Sequence, residues 1–312
     1  MKRSLLILLV ILVALGGAFV AQRMGEHPGE SAAHALVSMS PEKVQRFEVT
    51  REGQTTVIAR TDDGWRITAP IDAPADGDMV DGAVTMLATL ISDGVISSNP
   101  DKAPLFEVDP EHGIGVAFYG EGADTPLVRY TVGKLAPGFT HTYVTLEGSH
   151  DVHRVKGPIR FQLQKDVSSW RDRSVLRFDP VAVSRLAFFG DETLDLTRAD
   201  DGWRVAGDDA VAPDGAVQPI LKYLSTLRAL SFEDAPEELT GAPLLTISIW
   251  TGGQPNPTDL VVEAEDPLGY RVVTDADPQR YLVGTDRLKE LVADPKAALA
   301  LKGEAAEPAA DG

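Results

Sequence analysis

The chain has 312 residues, 43% of them apolar and 24% charged, enough for two domains with separate cores and the balance of a folded protein. It contains no cysteine, which excludes disulfides, thiolate metal sites, cysteine nucleophiles and a lipid-modified N-terminal cysteine. Net charge is −18 and the first 23 residues are basic, so the rest, at about −21, repels phosphate backbones and nucleic acid is excluded as a partner.

Lys2 and Arg3 precede Ser4 to Ala21, an uncharged run rich in Leu, Ile, Val and Ala. As a helix it would rise roughly 27 Å, close to the ~30 Å hydrocarbon core of a bilayer. Residues 1–23 are therefore expected to be a cytoplasmic stub and a single-pass anchor of the inner membrane. The positive flank then leaves the bulk of the chain extracytoplasmic. A signal peptide cleaved near Gly16-Gly17-Ala18 is the rival reading. Residues 24–40 read as a polar linker.

The remainder repeats itself. Asp62-Asp63-Gly64-Trp65-Arg66-Ile67 recurs as Asp200-Asp201-Gly202-Trp203-Arg204-Val205, an offset of 138. Val44-Gln45-Arg46-Phe47 answers Val183-Ser184-Arg185-Leu186, Ala75-Asp76-Gly77 answers Pro213-Asp214-Gly215, and Leu87 to Leu90 answers Leu224 to Leu227. The later matches Val116 to Tyr119 with Ile247 to Trp250, and Tyr143 with Tyr270, shrink the offset to 127. The turn Gly133 to Thr140 shortens to Asp266 to Gly269 in the second copy, where deletions are best tolerated.

Two units follow, 41–166 and 180–296, joined by a connector at 167–179 and ending in an Ala/Glu/Pro tail at 297–312 that should be disordered. In unit one, strands are expected over Val44–Thr50, Thr55–Arg60 and Trp65–Thr68. Asp76 stands where a helix N-cap belongs, and Met79, Ala83, Met86, Leu87 and Leu90 share a helical face. In unit two the face is Val217, Ile220, Leu221, Leu224 and Leu227. Three or four strands and a short helix, Ile159–Lys165 or Arg287–Val292, close each unit. The expected class is α+β: a membrane helix, then two antiparallel sheets each packed with an amphipathic helix.

No motif nominates an active site, a metal site or a cofactor, and the chain reads as non-catalytic. Asp76 to Gly82 lacks the fifth, sixth and twelfth positions of a calcium loop. His150 and His153 would point to opposite faces of a strand. Gly113-Ile114-Gly115 lacks the third glycine of a dinucleotide turn and runs into a strand. Trp65 and Trp203, equivalent in the two copies, read as packing residues. Trp170, flanked by Arg171 and Arg173, lies between the units and is the candidate interface group, sealing the interdomain contact or presenting a hot spot.

The passage Gly64-Trp65-Arg66-Ile67, Pro70, Ala75-Asp76 and Leu87 to Leu90 resembles a bacterial domain-of-unknown-function family, number 4340. Trp170-Arg171-Asp172-Arg173, Leu176 and Phe178-Asp179 resemble the family's later Leu-Arg-Asp-Lys…Phe pattern. The resemblance extends over most of residues 40–295. It implies a single-anchor envelope protein, of a kind often encoded beside ABC-transporter subunits similar to gliding-motility auxiliary components, with no catalytic residues to carry over. The resulting expectation is an accessory or scaffold component of an ABC-type export or surface-assembly system. A module binding an envelope polysaccharide or small solute in an inter-unit cleft is the alternative, and an envelope hydrolase is third.

Overall fold

A computed structural model describes residues 33–301, apart from 209, 235–240, 253, 276–278 and 300. The expected anchor at 1–23 and the tail from 302 onward lie outside the described residues. Among those described, no helix is long and apolar enough to cross a membrane. The chain divides after Asp172 into two compact units, a division that falls inside the expected connector.

Unit one begins with strand β1 (His34–Ser38), inside the span expected to be linker. Then come β2 (Arg46–Arg51), β3 (Gln54–Thr61), β4 (Gly64–Ala69), the two-residue β5 (Ala73–Pro74), helix α1 (Gly77–Leu87) and β6 (Thr89–Ser97). A one-turn helix α2 (Ala103–Phe106) leads to β7 (Ile114–Tyr119), β8 (Val128–Leu135), β9 (His141–Leu146), β10 (Val152–Lys156) and α3 (Arg160–Leu163). Unit two runs β11 (Val183–Phe189), β12 (Thr193–Ala199), β13 (Gly202–Val205), β14 (Val211–Ala212), α4 (Asp214–Ser225) and β15 (Ala229–Glu233). It ends with β16 (Leu245–Thr251), β17 (Thr258–Asp266), β18 (Gly269–Thr274), β19 (Arg280–Val283), α5 (Asp286–Ala293) and α6 (Pro295–Ala298).

Strand order proves the duplication. The ten-stranded sheet of unit one runs β5-β4-β3-β2-β7-β8-β9-β10-β6-β1, and the nine-stranded sheet of unit two runs β14-β13-β12-β11-β16-β17-β18-β19-β15. Element for element the orders coincide, with β1 as the one addition. The neighbouring strands pair antiparallel. In both units the helix carries the chain from one sheet edge to the far side of the sheet, to edge strand β15 in unit two and to β6, which β1 covers, in unit one.

The expected α+β class is corrected to mainly β. Each helix that covers a sheet face has only 11 or 12 residues, against nine or ten strands. Two-residue strands such as β5 and β14 carry no period that a sequence pattern could show.

Helix α1 buries Val80, Ala83, Val84 and Leu87, and α4 buries Val217, Ile220, Leu221 and Leu224. Each such valine, leucine or isoleucine contributes roughly 1.5–3 kcal/mol by leaving water, so these faces hold helix to sheet. Met79 and Met86 are only partly buried, and Leu90 belongs to β6 rather than to the helix. Asp76 caps α1 as expected, its carboxylate accepting the Met79 N–H at 3.1 Å. The Tyr130 hydroxyl on β8 donates to the Leu87 carbonyl at 2.8 Å, satisfying the helix's far end from the sheet.

Candidate functional site

The repeated tryptophans are structural in both copies. Trp65 and Trp203 each bury the ring in the core of their unit and donate the indole N–H to an aspartate at 2.8 Å. In unit one the acceptor is Asp81, which also binds Arg60 at 2.9 Å. That arrangement accounts for the acidic stretch Asp76 to Gly82: one carboxylate caps the helix, and another serves the indole and a guanidinium.

Trp170 is 1% exposed and packs in the core of unit one, edge-on to Phe47 with ring centroids 5.8 Å apart. Its carbonyl accepts the Asp76 N–H at 2.8 Å, and Arg171 bridges to Ala75. The ring therefore offers no surface to a partner. Arg171 is buried as well. Arg173 belongs to unit two, where its guanidinium donates to the Leu230 carbonyl at 2.7 Å and to Ala229 at 3.3 Å. It caps the outer side of β15, the position that β1 occupies against β6 in unit one. These three residues terminate sheet edges, a role their local sequence does not announce.

The histidines separate. His150 is exposed ahead of β10, while His153 is buried with its Nδ1 3.3 Å from the Ser92 hydroxyl. Burial lowers the His153 ring below its ordinary value, ahead of the opposing pull of Asp151. Gly113 and Gly115 enter β7 directly, as the missing helix predicted.

Two clusters were not foreseen. On β6, Asp93 accepts from His141 Nε2 at 2.7 Å and lies 3.6 Å from Lys156 and 3.9 Å from Arg154. The other ring nitrogen of His141 is 2.9 Å from the Thr140 hydroxyl. Hydroxyl, imidazole and carboxylate stand in the order of a general-base relay. The carboxylate, however, is also shared with two cations from the adjacent strand, as in a cross-strand ion network. In the turn before β7, Asp109, Glu111 and His112 bring one ligand atom each within 4.8 Å of the others. Asp109 Oδ1 already accepts from the Glu111 and His112 backbone and lies 2.9 Å from His112 Nδ1, which makes this a self-bonded turn. The first cluster has no local sequence signal, because Asp93 and His141 lie 48 residues apart and meet only through the sheet, whereas the second is contained within Asp109 to His112.

Unit two holds a cavity of about 270 Å³. The turn between β11 and β12, the start of β16 and the junction of α5 with α6 enclose it. Leu194, Leu244, Leu245 and Val292 form its apolar side, and Lys296 pairs with Glu192 at 2.8 Å on its rim.

A family model described as a domain of unknown function, DUF4340, matches residues 65–243, more than half of the chain. The chain belongs to this family. Nothing among curated proteins and nothing among solved structures matches it. The DUF4340 match opens on Trp65, passes through Trp203 and α4, and stops just before β16, so it draws on both units.

One further feature of this DUF4340 chain recurs in both units. The hairpins β8–β9 and β17–β18 occupy equivalent places in the two sheets. Their tips carry Phe139, 70% exposed, and Leu268, 71% exposed. Phe139 holds φ at 59°, in the left-handed region that ordinary residues avoid. The tips differ in length, yet each ends in an apolar side chain in water.

Proposed function

We propose that this DUF4340 chain is a non-catalytic accessory protein of the cell envelope. On this reading residues 1–23 anchor it in the inner membrane and its two β units stand outside the cytoplasm. Its partner is a membrane protein complex of the ABC export or surface-assembly type. The observation that carries the reading is the pair of equivalent hairpin tips, Phe139 and Leu268, each presenting an exposed apolar side chain. Lone exposed apolar residues are ordinary. A pair kept at one topological position after the repeats diverged, one of them on a strained backbone, fits anchors for pockets in a partner. Family membership and the resemblance to single-anchor envelope proteins support the same direction. A membrane anchor raises local concentration, so a modest interface suffices.

The test is affinity purification of the full-length chain from native membranes in mild detergent, beside the Phe139→Ser/Leu268→Ser variant. The reading predicts ATPase and permease subunits in fixed ratio with the wild type and their loss from the variant. Recovery of the wild-type chain without any transporter subunit ends the reading.

A further inference from the structure

We infer that His34 and His153 form an acid-operated latch on strand β1, and that protonation of His153 releases β1 from the edge of the unit-one sheet. The latch stands whether or not the accessory role holds; only its consequence for the membrane tether rests on that reading.

Strand β1 is lightly held. It pairs with β6 alone, and a register shift between Ala35 and Val37 interrupts that pairing. Of its five residues only Val37 is buried. Its first residue, His34, stands opposite Ser92 of β6, and Ser92 stands opposite Val155 of β10. The His34 ring reaches across β6 and meets the His153 ring edge-on, with centroids 6.1 Å apart. In this way β1 helps to enclose an imidazole that is only 8% exposed.

The surroundings of His153 suit a neutral ring. Its Nδ1 lies 3.3 Å from the Ser92 hydroxyl, whose oxygen also accepts the Gly94 N–H at 3.0 Å. The flanking strands β6 and β9 set Val95 and Val144 opposite it. Two charged groups act on the ring: Asp151, two residues before it, favours the imidazolium, and His34 opposes it. The other charges of these strands, Arg154 and Lys156 of β10, Asp93 of β6 and His141 of β9, meet one another on the opposite face. Burial outweighs the pull of Asp151, so the held ring takes up a proton only at a lower pH than a free one.

Linkage fixes the sign. A His153 exposed by release of β1 titrates near the ordinary 6.5, and the held ring titrates below it. Above 6.5 neither form carries the proton, and the pairing of β1 has its full stability. As pH falls through 6.5 the released form binds a proton that the held form refuses. The pairing therefore weakens until the held midpoint is passed, and then levels off.

Unit two lacks the device. All six histidines of the chain precede residue 154. On β19, which takes the place of β10, the inward ring is Tyr281, two residues before the buried Val283 as His153 is before Val155. Tyr281 packs on Phe232 with centroids 5.9 Å apart. Among the described residues β1 is the first strand, so on the anchored reading its release adds five residues, roughly 17 Å of extended chain, to the tether.

The experiment is hydrogen exchange read by mass spectrometry on the full-length chain in detergent, between about pH 8 and about pH 5, corrected for the intrinsic pH dependence of exchange. The peptide over β1 should lose protection as pH falls through 6.5 and then level off. The loss is about tenfold for each pH unit that separates the held and released midpoints. The edge segment of unit two, where the Val175 N–H donates to the Leu227 carbonyl at 3.0 Å, should keep its protection. His153→Tyr, which installs the residue of unit two, should keep β1 protected at the acid end, and His153→Gln serves if that variant fails to fold. Unchanged protection of β1 across the range, the same loss in the folded variant, or an equal loss in the edge segment of unit two would each overturn the inference.

Discussion

The indole N–H of Trp203 donates to Asp214 at 2.8 Å, and the residue aligned with Asp214 in the first repeat, Asp76, does something else. Asp76 caps α1, while the indole of Trp65 is served by Asp81, one turn further along. The second-repeat position aligned with Asp81 is Pro219, which accepts no hydrogen bond through its side chain and lacks the N–H of an ordinary helical residue. In unit two the aspartate at the capping position serves the indole instead, and α4 begins with no side-chain cap. A buried indole donor requires an acceptor, and the structure satisfies it from whichever helix position remains.

Asp214→Ala should therefore cost about 1–3 kcal/mol, the penalty of an unpaired buried donor. In that background Pro219→Asp should recover more stability than Pro219→Ala, because only the former rebuilds the acceptor that unit one uses. Urea unfolding followed by tryptophan fluorescence measures both, and equal recovery by the two variants would falsify the exchange.

Gly269 opens β18 immediately after the Leu268 tip, and a Cβ there would overlap the Val283 carbonyl of β19. The close approach is between backbones, so no side chain can yield. Gly269→Ala should destabilise by about 1–3 kcal/mol, as overpacking does. Gly215→Ala, at a helical position with open space, should be neutral or slightly stabilising in the same thermal melt.

Burial raises the Tyr223 hydroxyl from 10 to about 12, with the charge of Asp286 adding to it. Burial likewise pushes Tyr130 well above 10. Below pH 10 these phenols are protonated in both states and stability does not depend on them. Above pH 10 the unfolded chain loses protons that the folded chain keeps, so stability falls as pH rises toward 12. Melting temperatures between pH 9 and 12 should drop less steeply in Tyr223→Phe than in the wild type.

The hydrogen bond to Asp109, then its charge, raises His112 above its ordinary 6.5, with Glu111 and Glu107 adding to the effect. Burial works to raise Asp109, but the His112 ring and the backbone donors outweigh it and hold the carboxyl below its usual range. An NMR titration should place the His112 midpoint above 6.5 and move it down in Asp109→Asn. An unmoved midpoint would show that the turn's bond does not persist in solution.

The helix face Val217-Ile220-Leu221-Leu224 and the tryptophan turns could be read from the chain, because their signals lie within a few residues, whereas in α1 only Ala83 and Leu87 of the expected face are buried and Val80 and Val84 supply the rest. Strand β1 could not, since the five residues His34–Ser38 gain strand character only by pairing with β6, some fifty residues on. The mainly β class escaped for the same reason, as short edge strands have no period of their own. The Trp170 group misled because an aromatic between arginines looks alike on a surface and inside a core, and only packing against Phe47 distinguishes the two.

By itself the sequence determined that the chain is a duplication, which face of α4 is buried, and which family it belongs to. These are local patterns or ordered landmarks, and they survive divergence because each depends on near neighbours. The tertiary structure alone decided the sheet order, the aspartate that serves each tryptophan, the unit-two cavity and the exposure of Phe139 and Leu268. Those depend on residues tens to a hundred positions apart, as Glu192 and Lys296 are, and long-range proximity is set by strand pairing rather than by spacing along the chain.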